Sequence, residues 1–351
     1  MSNKKTLVLS LGTLTVSCIL FITVGSFVTA TQDAQPAFTG EYDVNDLEDV
    51  LVVVKEHEHE SLFLLANEED DTTLFESDEN TQITSPVFME DHTAAFIQTT
   101  GYEDGDDPYE TSSELAYSTI YFIDLVTNEV VNVADARGVL QDLAYVPSSK
   151  QLIATGENIT QQSEPEKQEG NQTAIYRVNN GDLEQIYQGS YAAPGSMQAT
   201  EDGKLMMILP DDQGNWTAES MFESTERIYM ADPTEQQLDL ELVSDPEKSE
   251  PITSFVQVED GLIYQTILNY HDGDDMYDYD LVPYSYKNEE EGDRMGVSGN
   301  EIESLHLTST NMLYYVKRSS AYRDGNAFSL HKRDLKDGDH VEGNVFPHND
   351  E

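Results

Sequence analysis

The sequence predicts an all-β protein, a six-bladed β-propeller of four-stranded antiparallel blades over residues 41–346, preceded by an N-terminal signal or transmembrane helix. Three observations carry this. An aromatic residue in a short alternating run recurs at Phe63, Tyr121, Tyr176, Tyr229, Tyr284 and Phe328, with spacings of 58, 55, 53, 55 and 44 residues. A short polar turn between two apolar runs keeps step with it, at 90–92, 147–150, 201–203, 259–261 and 309–311. A second tight turn follows the aromatic run at 126–129, 179–182, 232–235 and 336–339. Asn, Asp and Gly suit such turns because they tolerate positive φ, and self-similarity at a fixed period marks a repeat architecture.

Taken in order, the first element is the leader. Lys4 and Lys5 precede residues 6–30, which carry no charge. As a helix this stretch would span about 37 Å at about 1.5 Å per residue, more than the roughly 30 Å of a bilayer core. Its length favours a retained anchor, with the lysines inside and the acidic body outside. Val28-Thr29-Ala30 also reads as a cleavage site, so anchor and cleaved signal both remain open. Cys18, the only cysteine, lies in this leader, so no intramolecular disulfide and no cysteine metal site is expected. Thr15 stands where a lipobox needs an aliphatic residue. Residues 31–40 read as a linker and 347–351 as a tail.

The blades follow. Unit one reads as strands at 38–44, 50–55, 61–66 and 73–76, and unit two as strands at 86–89, 94–99, 119–125 and 130–133. Later second strands fall at 151–155, 205–209, 262–268 and 312–316, and unit six ends near 341–346. No long stretch has a helical period. Four-stranded units that must bury both faces against neighbours imply a propeller.

Two motifs carry a family resemblance. Thr200-Glu201-Asp202-Gly203-Lys204-Leu205-Met206 resembles the Pro-Asp-Gly-Lys turn of TolB-like and WD40-like propeller repeats. Residues 120–129, from Ile120-Tyr121-Phe122-Ile123-Asp124-Leu125 to Asn128-Glu129, resemble their aromatic strand and following turn. The turn at 147–150 lacks Asp-Gly, and unit five is poorly marked after Tyr286. The resemblance implies a fold rather than an activity, because propellers host many functions.

Composition excludes some partners. Of 18 Lys and Arg, two precede the leader, which leaves 16 against 68 Asp and Glu, a net −52 beyond Ala30. Nucleic acid is excluded, since affinity for phosphate backbones comes from Lys and Arg, and so is docking on anionic lipid. The excess is spread along the chain, as expected of a halophilic or alkaliphilic surface, and suits salty or cation-rich surroundings. A monomer is expected.

The connections between second and third strands are long at 100–118, 157–172, 211–225 and 270–278. Loops of that length in a compact repeat are often functional, and in a propeller they share one rim. Asp104, Asp106 and Asp107 in one, and Asp272, Asp274 and Asp275 in another, surround glycines that let carboxylates fold about a hard cation. Calcium is one reading; solvated acidic loops are the other. Tyr102, Tyr109, Trp216, Tyr270, Tyr277 and Tyr279 would sit on the same rim. Aromatics beside carboxylates suit an extracellular cationic peptide, a protein or a glycan, or simply pack the loops. His57 and His59 read as an exposed hairpin rather than a metal pair.

No Gly-x-Ser-x-Gly elbow, phosphate loop, cysteine nucleophile or His-Glu-x-x-His is present. The expectation is a binding or scaffolding module without catalysis. The alternative is a carbohydrate-active hydrolase or lyase using channel carboxylates, disfavoured because the innermost strands read as packing residues at Phe88-Met89, Leu143-Ala144-Tyr145 and Ser196-Met197.

Overall fold

The computed structural model describes residues 36–66, 71–90, 92–101, 116–160, 173–179, 181–189, 195–211, 225–245, 248, 250–270, 278–297, 302–318, 328–336 and 342–346. Residues Ala37–Glu351 form one compact unit, distinct from Met1–Pro36. The leader lies outside the described residues. Among those described, no helix is long and apolar enough to cross a membrane.

Strands pair with their neighbours in sequence throughout. The first sheet holds β1 (Ala37–Val44), β2 (Val50–Glu56), β3 (His59–Leu65) and β4 (Thr72–Glu76). The second sheet has seven strands: β5 (Thr81–Phe88), β6 (Thr93–Thr100), β7 (Tyr117–Asp124), β8 (Val130–Val146), β9 (Gln151–Thr160), β10 (Thr173–Asn179) and β11 (Asp182–Gly189). Three four-stranded sheets follow. They are β12 (Gly195–Ala199), β13 (Leu205–Pro210), β14 (Glu226–Ala231) and β15 (Glu241–Leu242); then β16 (Ile252–Val258), β17 (Gly261–Ile267), β18 (Tyr279–Ser285) and β19 (Glu290–Glu291); then β20 (Ile302–Leu307), β21 (Met312–Arg318), β22 (Phe328–Asp334) and β23 (Glu342–Phe346). All ladders are antiparallel, as in an all-β propeller.

The seven-stranded sheet departs from the expected separate units. Unit two was expected to close with a strand at 130–133, yet β8 runs on for 17 residues. The reason is local. Ala134, Ala136 and Gly138 are buried while Asp135 and Arg137 are exposed, so alternation continues where a turn was needed. Its first part pairs with β7 and its second with β9, and Arg137 belongs to both ladders.

The strands β1, β5, β8, β12, β16 and β20 each lie against the next, and β20 returns to β1, which closes a ring of sheets. Second strands are sandwiched between neighbouring sheets and lose their alternation. Val50–Val54, β13 and β17 are buried at every position. Six clusters of buried apolar side chains fill the joints among the described residues, one of them between the two halves of the seven-stranded sheet. Burying one such Leu or Ile contributes about 1.5–3 kcal/mol.

The hairpin turns follow the sequence reading. Gly203 has φ +84°, and a Cβ there would fall 2.1 Å from Ser148 Oγ on the preceding turn, so only glycine fits. Asn128 and Asn311 take the same left-handed conformation.

Candidate functional site

The described polar site is the inner wall of the ring. A small or acidic residue stands five positions ahead of each first-hairpin turn: Gly40, Ser85, Asp142, Ser196, Ser254 and Ser304. Each inner strand shifts register there. The shifts lie between Phe38 and Tyr42, Thr84 and Val87, Leu140 and Asp142, Gly195 and Gln198, Ile252 and Phe255, and Glu303 and His306. Gly40, Ser85, Ser196 and Ser304 have φ of 95°, 48°, 49° and 50°. A bulge turns backbone groups out of their own ladder, and here they are met by the neighbouring inner strand.

The result is a belt of hydrogen bonds from strand to strand. The Leu143 amide donates to Ser85 Oγ at 2.7 Å, the Met197 amide to Asp142 Oδ2 at 2.9 Å, and the Leu305 amide to Ser254 Oγ at 3.1 Å. The three bonds share one rule: a belt side chain accepts the amide just after the next belt position. Gly40 has no side chain, and Glu41 replaces it, accepting the Ser85 amide at 2.8 Å. At Ser196 the bridge passes to Gln198, whose Nε2 donates to Phe255 O at 2.8 Å and Leu305 O at 2.6 Å. Asp43 accepts the Phe88 amide at 2.6 Å, and its other oxygen lies 3.1 Å from His306 Nδ1. The Tyr42 hydroxyl donates to Ser304 O.

Asp142 is the centre of this wall. It also accepts from Ser85 Oγ at 2.7 Å and from the Leu143 amide at 2.9 Å. Burial raises its pKa above the ordinary carboxylate value; the three donors pull the other way, and the charge of Asp43 adds to the rise. Burial likewise raises the Tyr42 hydroxyl well above the usual tyrosine value.

The sequence reading missed Glu41, Asp43, Asp142, Gln198 and His306. A signal existed in the Gly, Ser or Asp five residues ahead of each turn, which a search for reactive motifs passes over. The inner strands were expected to present packing residues, and Leu143, Ala144 and Met197 are indeed buried, but carboxylates stand among them.

Of the rim residues singled out from the sequence, Asp104, Asp106, Asp107, Asp272, Asp274, Asp275, Tyr102, Tyr109, Trp216 and Tyr277 lie outside the described residues. Tyr270 is 37% exposed in the turn after β17, and Tyr279 opens β18 opposite Ile267. Both thus flank the same long connection, whose base is tied by Leu268 N to Asp278 O at 2.7 Å. The base of 212–224 is tied similarly, by the Asp211 amide to Thr225 O and the Thr225 amide to Asp211 Oδ1, both at 3.0 Å. His57 is an exposed turn residue, while His59 Nδ1 lies 3.0 Å from Ser77 O. Among the described residues no group of three or more His, Cys, Asp or Glu is placed to hold a metal ion.

No protein-family model matches this sequence, and a comparison with curated proteins finds no match. Solved structures do match. TolB from Acinetobacter baumannii superposes with a TM-score of 0.53 at 13% identity, over 81% of this chain and 59% of TolB. An oligogalacturonate lyase in complex with manganese gives 0.53 at 14% identity, over 90% of this chain and 80% of the lyase. Hydrazine synthase from Kuenenia stuttgartiensis gives 0.56 at 11% identity, over 83% of this chain and 42% of that one. This chain thus spans about three-fifths of TolB. At such low identity the likeness shows the fold alone, and that fold is an all-β propeller.

Proposed function

We propose that this chain is an extracytoplasmic binding or scaffolding propeller of six blades, whose rim of long connections captures a cationic segment of a protein or peptide. The six-blade count treats the seven-stranded sheet as two blades sharing β8, and the cluster of Ala95, Ile120, Leu143 and Tyr176 between its halves supports this. The apolar leader supports a place outside the cytoplasm, anchored or released.

One observation carries the binding reading. A channel hydrolase or lyase needs carboxylates free to move a proton, but Glu41, Asp43 and Asp142 are already engaged by amides and hydroxyls of neighbouring strands. The wall is built as a joint. The long connections between second and third strands are not needed by the scaffold, and they hold Trp216 and both Asp-Gly-Asp-Asp runs.

Trp216, the only tryptophan, supplies the test. Its fluorescence should change saturably as a lysine-rich peptide is added at low salt. The change should vanish in 1 M sodium chloride and in the D104N/D106N/D107N variant. A neutral oligosaccharide that alone gives saturation would replace the cationic partner with a glycan. Silence toward both, or an unaltered response in the variant, would overturn the acidic rim.

A further inference from the structure

The six joints of the ring are unequal. Consecutive sheets are joined by the chain itself, and within the second sheet the joint is the unbroken strand β8. Among the described residues, the last sheet and the first share no strand: β1–β4 and β20–β23 are each four consecutive strands. Among the described residues that joint is made by contacts in which at least one partner is a side chain. The Phe38 and Phe346 rings meet edge to face with centroids 5.8 Å apart, beside Val316 and Leu330. Tyr42 reaches Ser304 O, and Asp43 lies 3.1 Å from His306. Asp46 accepts the Ser309 amide at 3.0 Å. Glu48 gathers three donors of the last sheet and its turn: Lys332 Nζ at 3.2 Å, Tyr314 OH at 3.2 Å and Thr310 Oγ1 at 3.4 Å. The contacts run from one end of β1 to the turn beyond it.

We propose that these side chains form a latch, with Glu48 as its main catch, and that the ring opens at this joint, loosening the first and last sheets before the others unfold and giving lateral access to the channel wall. Separation elsewhere leaves the two sides tethered by chain, so little is gained. Here the parting sheets are tethered only through the rest of the ring. Local opening of a cooperative unit below the global barrier is read directly by amide exchange.

The experiment is hydrogen exchange on the full chain, wild type and Glu48→Gln. Amides of β1, β2, β21 and β22 should exchange together, about ten-fold or more faster than those of β6, β7 and β9. Glu48→Gln should accelerate the first set and leave the second unchanged. A single rate for all sheets in the wild type would overturn the proposal, and that comparison decides even if the variant does not fold. Fast exchange confined to β1 would show terminal fraying in place of a latch. Seam amides indifferent to Glu48→Gln, or equal acceleration everywhere, would also overturn it.

Discussion

At Asp142 one carboxylate does the work of a joint. It holds strands on both sides, through Ser85 and Met197. In Asp142→Asn an amide nitrogen must face one of these donors, and chemical denaturation should show a loss of about 1–3 kcal/mol, the cost of an unsatisfied buried group. In a double-mutant cycle with Ser85→Ala the losses should fall short of additive, because both remove the same bond. The pH dependence follows from sign. Burial raises the folded-state pKa of Asp142 and of Glu60, which accepts the Ile83 amide at 2.7 Å. The folded state therefore holds these protons more tightly, and their contribution to stability grows as pH falls from neutral through the raised values. Asp124 and Asp232 act oppositely: amide and hydroxyl donors in their turns lower their pKa, so they lose stabilisation as pH falls further. Melting temperature at low salt should thus rise modestly as pH falls from 7 through the raised carboxylate values, then fall as the lowered ones are reached. Asp142→Asn and Glu60→Gln should each flatten that rise; a profile unchanged by both would refute the assignment.

Among elements, the hairpins were legible in the sequence and the bulges were not. Turns at 147–150, 201–203 and 259–260 sit where Pro, Ser, Asp and Gly interrupt apolar runs, because turn chemistry is local. A bulge on an inner strand is set by the strand beside it, some fifty residues away, so Ser85 and Ser196 read as ordinary polar residues. The same reason hid the continuity of β8, where Ala134 to Gly138 holds Asp135 and Gly138, residues that suit turns, and no run of apolar residues. The rim loops were legible as lengths alone, since their ligands depend on geometry beyond the described residues. The β8 reading has a direct test. Ala136→Pro removes an amide from the strand that two halves share, and should cost about 3 kcal/mol or more by denaturant titration. A cost well below that would mean that the ladder between β7 and β8 matters little.

For the whole molecule, three of the scarce cations bridge sheets. Arg177, Arg227, Lys248 and Arg333 are buried. Arg177 donates to Pro233 O at 2.5 Å and Glu235 O at 2.8 Å across one joint. Lys248 Nζ lies 2.6 Å from Glu291 Oε1, which also accepts the Tyr264 hydroxyl at 2.5 Å, across the next. Arg333 donates to Met295 O at 3.0 Å across a third. Lys55, Arg137, Lys150 and Lys336 are exposed, but with 68 Asp and Glu against 18 Lys and Arg the acidic excess dominates, and screening should therefore stabilise the fold. Melting with calcium, magnesium and sodium chloride at matched ionic strength separates general from specific effects. A calcium-specific rise at sub-millimolar concentration, lost in D106N/D107N or D274N/D275N, would establish bound ions. An equal response to all three salts would assign the effect to screening alone. A last consequence comes from the order of pairing. Among the described residues every ladder joins a strand to its immediate successor, so each sheet can form as soon as its own strands have emerged during synthesis, without waiting for distant sequence. Only the closing contact requires both ends of the domain. Until residue 346 arrives, the nascent protein is an arc with its first sheet uncovered on one side, and that is when it most needs protection from other chains.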